Sequence, residues 1–289
     1  MLCEKICAKV LAALLGFCTA LGCCALSAAA VPAPANPAAA NPAAAGPATV
    51  VPDAVTAAIA DPARPSEQVA HDAERRPGEV LAFAGIRRGN RVADFMSGGG
   101  YFTRLFSTLV GDDGRVYAFL PEEQLKNCAP AETAGTRAIA GVAHYHNVRV
   151  LQAPVNQFSA PEPLDLIWTS LDFHDLYDSF MGPANVPQVV ASFFRALKPG
   201  GVLVIIDHAA QPGSDVRDTE SLHRIDPEAI IRTVTAAGFV LEAESNALRN
   251  AADNHELAVF DAAIRGRTDQ VVLKFRKPQR AAAPRQPLS

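Results

Sequence analysis

Short runs of branched and aromatic residues alternate along the chain with segments whose apolar positions recur at helical spacing. Residues 91–95 form the first β-like run, and 115–119 the second, after the turn Gly111-Asp112-Asp113-Gly114. Residues 147–151, 164–169 and 202–207 follow, the last with the unbroken apolar core of a central strand. Residues 239–245 and 270–276 complete the set. Between the runs, Phe102, Leu105, Phe106, Leu109 and Val110 make an apolar stripe, with Thr103, Arg104, Ser107 and Thr108 on the other face. Asn185 is placed to cap a helix that buries Val189, Val190, Phe193, Phe194 and Leu197 and stops at Lys198-Pro199-Gly200-Gly201. Asp226 does the same for a helix that buries Ile230, Ile231 and Val234 and ends at Gly238. This alternation predicts an α/β protein with a mostly parallel sheet covered on both faces.

Composition sets the limits of that domain. The chain has 289 residues, of which 19% are charged, so it can bury a large core and is not a disordered chain. A net charge of −4 gives no general footprint for nucleic acid, and no nucleic-acid partner is expected. Glu4, Lys5 and Lys9 precede an uncharged apolar run over 10–26 and the step Ser27-Ala28-Ala29-Ala30. Those are the parts of a signal peptide over 1–30, which predicts an exported, periplasmic protein whose only membrane contact is its leader. Retention as an anchor is the alternative, although a span needs about 20 apolar residues. Gly22-Cys23 resembles a lipidation site, which would also tether the chain. Residues 31–52 read as an Ala/Pro-rich linker, 53–76 as a lead-in arm, 77–278 as the folded domain and 279–289 as a flexible tail. Five of six cysteines lie in the leader, so only Cys128 remains after cleavage and no internal disulfide can form.

The most informative stretch runs from Val92 to Thr103: strand, glycine turn, amphipathic helix. Glycines there give the backbone unusual φ values and let a ligand approach the main chain. The helix start also offers free N–H groups to a polar ligand. In this layout the chain resembles the class I S-adenosylmethionine-dependent methyltransferases across residues 77–278. Asp94 with Gly98, Gly100, Tyr101 and Thr103 is similar to their first motif, and Asp165 sits where their fourth strand lies. Leu197-Lys198-Pro199-Gly200-Gly201-Val202-Leu203 resembles their approach to the fifth strand, and Gly238-Phe239 through Lys277-Pro278 their closing hairpin. The resemblance implies a Rossmann-like, doubly wound, seven-stranded sheet with a terminal antiparallel hairpin. It implies S-adenosylmethionine as cofactor, held by Asp94, Met96, Ser97, Gly98, Gly99, Gly100, Tyr101, Thr103 and Thr169. Two positions depart from the pattern. Met96 stands where the family has its first glycine, and Leu120 where it has a carboxylate for the ribose hydroxyls. Glu122 or Glu123 either reaches in from the next turn to replace that acid or faces solvent at a helix start.

Polar groups are dense after the fourth strand, in Thr169-Ser170-Leu171-Asp172-Phe173-His174-Asp175-Leu176-Tyr177. An imidazole titrates near neutral pH, so His174 is a candidate general base, oriented by Asp172 or Asp175. The candidate catalytic set is therefore His174, Asp175 and Tyr177. The alternative is a capped loop in which Asp175 starts a helix and His174 is half buried. Asp207-His208 ends the fifth strand toward the same cleft, and Arg224 is a candidate for an anionic substrate group. His144 and His146 lack a third ligand, and no metal is expected. The leading reading is methyl transfer to a small molecule or other acceptor of unassigned identity, with oligomeric state also unassigned. A non-catalytic exported ligand-binding protein on the same fold is the alternative. A nicotinamide-dependent oxidoreductase is a third reading, against which the Lys-Pro-Gly-Gly approach to the fifth strand and the hairpin both count.

Overall fold

A computed structural model describes residues 50–182 and 184–279. The expected leader, residues 31–49 of the linker and the tail over 280–289 lie outside the described residues. Helix α1 (Asp53–Ile59) and two short turns at Ser66–Val69 and Asp72–Arg75 make up the arm. Next come α2 (Pro77–Ala84), β1 (Arg91–Phe95), α3 (Tyr101–Val110), β2 (Arg115–Pro121), α4 (Glu122–Asn127) and α5 (Pro130–Ile139). The chain continues through β3 (Val148–Ala153), β4 (Leu164–Ser170), α6 (Val186–Ala196), β5 (Leu197–His208), α7 (Pro227–Ala236), β6 (Val240–Ser245) and β7 (Gln270–Arg276). The seven strands lie in the order β3-β2-β1-β4-β5-β7-β6. All neighbours are parallel except β7, which runs antiparallel to both β5 and β6. This is the α/β methyltransferase-type sheet with its terminal hairpin. Among the described residues no helix is long and apolar enough to cross a membrane.

Successive strand residues face opposite ways, so each strand feeds two cores. On one face Phe95, Phe119, Phe158 and Phe193 cluster with ring centroids 4.7 to 5.4 Å apart. On the other, Trp168 of β4 packs on Phe102 and Phe106 of α3 at 4.7 and 5.5 Å. Asn185 caps α6 by accepting from Gln188 N at 3.1 Å, and Asp226 caps α7 by accepting from Glu228 N at 3.0 Å.

Two features differ from the pattern-based expectation. The polar side of α3 is not solvated: Thr103, Arg104 and Ser107 are all buried. The arm covers this helix, with Val55 and Ala58 inside the same core, and Thr108 donates to Asp61 Oδ2 at 2.8 Å. Strand β5 starts earlier, at Leu197, because Gly200 and Gly201 exchange backbone hydrogen bonds of 2.9 Å with Lys277. Asp165 lies at the amino end of β4, away from the cleft, where it accepts from Arg91 N at 2.8 Å and Lys198 Nζ at 2.6 Å. It fastens strand ends.

Candidate functional site

Strand order reverses between β1 and β4, and ligands of doubly wound sheets bind outside the carboxyl ends of strands at such a point. A cavity of about 350 Å³ lies there, walled by the ends of β1, β4 and β5 and their following loops. That volume is within the roughly 300–1,000 Å³ of small-ligand sites.

Asp94, the penultimate residue of β1, borders the cavity and is 4% exposed. Burial pushes its carboxyl up to about 7, against the Thr103 hydroxyl that donates to Oδ2 at 2.6 Å and the charge of Arg75. The turn that follows takes left-handed φ at Met96 (58°), Gly98 (49°) and Gly100 (77°). Met96 thus adopts the conformation a glycine would take, a strained one for its type. Its side chain is 2% exposed in the aromatic core, and that burial offsets the strain. Ser97 N donates to Phe119 O and Gly100 N to Ser97 O. The N–H groups of Gly98 and Gly99, both on the cavity wall, donate to no protein group among the described residues.

Helix α5 backs this turn. A Cβ on Gly100 would sit 2.5 Å from Ile139 Cδ1, and one on Gly135 would sit 2.3 Å from the Gly99 carbonyl oxygen. The arm clamps it from another side. Tyr101 donates to Asp72 Oδ1 at 2.6 Å, Arg64 grips the same carboxylate at 2.6 and 2.9 Å, and Gln68 Nε2 donates to Gly99 O at 2.9 Å.

Of the cofactor candidates, Asp94, Met96, Ser97, Gly98, Gly99 and Tyr101 come together on the cavity wall. Gly100 and Thr103 lie just behind it, the first packed on α5 and the second holding Asp94. Thr169 is fully buried in β4, and its neighbours Ser170 and Leu171 form the wall instead. Glu122 is exposed at the start of α4, and Glu123 accepts from Val155 N at 2.9 Å; neither borders the cavity. Gln124 does. It is 5% exposed, and its Oε1 is buried without a hydrogen-bond partner among the described residues. A search for a carboxylate passes over this residue, because an amide offers the same acceptor without a charge.

On the opposite rim, His174 and Asp175 border the cavity together with Asp172, Asp178, His208 and His223. His174 Nδ1 bonds Asp207 Oδ1 at 2.7 Å; its Nε2 lies 3.0 Å from Asp175 Oδ1 and 3.2 Å from His223 Nδ1. Burial disfavours the imidazolium, but the charges of Asp207 and Asp175 win and raise the His174 pKa well above its ordinary value. Burial likewise pushes Asp175 up, yet the His174 charge and the hydrogen bonds from both imidazoles hold it at about 2. Burial raises Asp178 to about 6, and burial with repulsion from Asp175 raises Asp172 well above the ordinary carboxyl value. His208 is driven down by burial and by the charge of His174. Tyr177 lies outside this group, its hydroxyl 3.2 Å from Thr233 Oγ1. Arg224 is fully buried, paired with Asp253 at 2.9 Å and donating to the Leu257 and Ala209 carbonyls, and it does not border the cavity, so it serves the loop rather than a substrate. His144 and His146 pair separately, with Asp61 at 2.8 Å and Asp112 at 3.5 Å.

The residues present fit S-adenosylmethionine. Two unpartnered backbone amides and the Asp94 carboxyl suit an amino acid moiety, and the orphaned Gln124 Oε1 suits a hydroxyl donor. Strand order, glycine turn and terminal hairpin give the chain the fold of the class I S-adenosylmethionine-dependent methyltransferases. Comparison with curated proteins agrees. The chain is 26% identical over 196 residues to the ubiquinone/menaquinone biosynthesis C-methyltransferase UbiE of Marinomonas sp. (strain MWYL1), covering 66% of this chain and 69% of that one. It is 32% identical over 147 residues to the UbiE protein of Erwinia tasmaniensis, covering 48% and 52%. The chain spans about half the length of most of these relatives. No protein-family profile matches it. Among solved structures, it superposes on a chain from the complex of the Haloferax volcanii Trm112 methyltransferase activator with a methyltransferase (TM-score 0.52, 14% identity, 80% of this chain and 100% of that one). The [4+2]-cyclase SpnF is similar to the same degree (TM-score 0.52, 16% identity, 75% and 85%), which shows a shared fold.

Proposed function

We propose that this protein transfers the methyl group of S-adenosylmethionine to a small, largely apolar acceptor. The observation that carries the reading is the cavity at the β1/β4 switch point, where the Gly98 and Gly99 amides, Asp94 and Gln124 Oε1 present unused hydrogen-bonding capacity. When bound, S-adenosylmethionine supplies an already activated methyl group. The chain's own work is alignment and exclusion of water, with little acid–base help required. Thr103 holds the Asp94 carboxyl in place; Tyr101, clamped by Asp72, fixes the start of α3. Leu171, Phe180, Val259 and Phe260 give the wall an apolar side on which an acceptor ring would lie. The names of the UbiE relatives, which are C-methyltransferases of quinone biosynthesis, support an acceptor of that apolar kind.

Calorimetric titration of the full chain with S-adenosylmethionine and its demethylated product tests the reading. Saturable binding of both, weakened at least tenfold in Asp94→Ala, is expected. Absence of binding to either ligand would sink it. The charged start, apolar run and small-residue step of the leader support export, which cell fractionation tests.

A further inference from the structure

We propose that His174, Asp175, Asp178 and His223 form a site for one divalent transition-metal ion of the zinc class, set in the rim of the cavity. One donor atom from each of the four lies within 4.8 Å of the others. Individual separations are 3.0 Å (His174 Nε2 to Asp175 Oδ1), 3.2 Å (His174 Nε2 to His223 Nδ1), 3.6 Å (His223 Nδ1 to Asp175 Oδ1) and 3.8 Å (His223 Nδ1 to Asp178 Oδ2). Tetrahedral coordination at about 2.0–2.2 Å puts neighbouring donors about 3.3–3.6 Å apart. The cluster already has nearly those dimensions. Imidazole with carboxylate is also a donor set suited to such ions.

Asp178 independently points to a missing partner. It is 3% exposed, and neither carboxylate oxygen has a hydrogen-bond partner among the described residues. The hydroxyl of nearby Thr219 donates to the Val216 carbonyl at 3.2 Å. A buried carboxylate left in that state is costly, and a cation beside it removes the cost. Asp172, Asp175 and Asp178 form no ion pair with any Lys or Arg among the described residues; Asp175 pairs with His174 and His223, and Asp178 with His223.

The surroundings of His174 complete the argument. Asp207, fully buried, accepts from the backbone N–H groups of His174 and His208, both at 2.8 Å, and from His174 Nδ1 at 2.7 Å. With Nδ1 committed to Asp207, the Nε2 lone pair of the neutral ring faces Asp175 and His223. Carboxylate, histidine, metal is the usual order in which a protein orients an imidazole ligand. All four ligands border the cavity, so an ion here would also face an acceptor oxygen or nitrogen, if methyl transfer takes place there. The metal assignment itself does not depend on that reading.

The test uses the full chain with Cys3→Ser, Cys7→Ser, Cys18→Ser, Cys23→Ser and Cys24→Ser, which removes the five thiols of the leader and leaves only Cys128, whose ligation the thiolate bands of a Co²⁺ spectrum would reveal. After chelation, Zn²⁺ alone is titrated by calorimetry, and Co²⁺ is followed by its visible spectrum. One Zn²⁺ per chain, a tetrahedral Co²⁺ spectrum without thiolate bands, and a Tm rise of roughly 5–10 °C at a hundredfold excess over Kd are expected. Asp178→Asn, which keeps the side-chain volume, and His223→Ala, which removes one ligand, should each weaken zinc binding at least tenfold. No zinc binding by the parent chain, or equal binding in both variants, overturns the site. Should a variant fail to fold, the parent's spectrum and Tm shift decide alone, since their absence overturns it. S-adenosylmethionine is titrated into the metal-free chain in parallel. Cofactor binding without zinc binding overturns only the metal site; zinc binding without cofactor binding supports the metal site and overturns only the proposed function.

Discussion

Replacing Gly135 by alanine pits helix propensity against packing. Gly135 lies in α5, where Ala is favoured over Gly by about 1 kcal/mol in a solvated helix. The added Cβ, however, would sit 2.3 Å from the Gly99 carbonyl oxygen, while ordinary contacts begin at 3.4 Å. Helix and turn must therefore separate by about 1 Å, since the Cβ is fixed by the helix backbone, the oxygen is a backbone carbonyl, and no rotamer change can relieve the overlap. Overpacking of this kind costs about 1–3 kcal/mol, and two rigid partners put it at the upper end. The net is a loss of about 2 kcal/mol, or a Tm lower by roughly 4–8 °C for a domain of this size. The displaced atom belongs to the turn that carries the Gly98 and Gly99 amides, so S-adenosylmethionine affinity should fall at least tenfold as well. Differential scanning calorimetry and titration of Gly135→Ala measure both. Gly141→Ala is the control, because its Cβ would meet nothing nearer than Ala138 O at 3.6 Å. A Gly135→Ala chain as stable as the parent and binding cofactor equally well would refute the close contact between α5 and the turn.

Three further substitutions probe the site and its supports. Gln124→Leu should lower S-adenosylmethionine affinity about tenfold by removing a buried acceptor, while Glu123→Gln should leave it unchanged; the reverse result in a titration would move the hydroxyl contact to the glutamate. Arg64→Ala, which strips Asp72 of its bidentate partner, should cost about 3 kcal/mol and lower the Tm by roughly 6–12 °C, and a change under 2 °C would show that the clamp is idle. For Asp94, burial raises the folded pKa to about 7 above an unfolded value near 3.8, so the folded state holds a proton that the unfolded state has lost. Stability should then fall as pH rises from about 4 to about 7 and level off above, a slope that urea unfolding of Asp94→Asn should show reduced.

The architecture was legible because periodicity carries it. The strands at 91–95, 164–170 and 270–276, the stripe of α6 and the caps at Asn185 and Asp226 are local patterns, and they fold as local patterns dictate. The glycine turn was legible for the same reason: backbone that must take φ of 49° and 77° leaves a compositional mark. The ribose-side acceptor was not. Gln124 lies two residues past the start of α4, and only the tertiary direction of that helix turns it inward while Glu122 faces solvent and Glu123 bonds Val155. The rim cluster was half legible. His174 and Asp175 are adjacent and conspicuous, but His223 is 49 residues away, and its approach to 3.2 Å depends on how the loop after β5 packs.

Linear order also misplaces the arm. Ala and Pro surround it in sequence, its helices are short, and nothing in its periodicity ties it to the sheet. Yet Val55 and Ala58 lie in the core beneath α3, and Asp61 receives hydrogen bonds from Thr108 and His144. Arg64, Gln68 and Asp72 all act on the glycine turn or on Tyr101 beside it. Apart from the pairing of Arg64 with Asp72 inside the arm, these contacts span separations of 29 to 83 residues, beyond the reach of any helical or strand period. They also explain why the polar face of α3 is buried: its Thr and Arg side chains are spent on the arm, the turn and Asp94 rather than on water. The cavity wall is thus built by the sheet and held by a segment that precedes it. A turn with two unpaired amides keeps its open shape only while something outside it supplies the bonds it cannot make to itself.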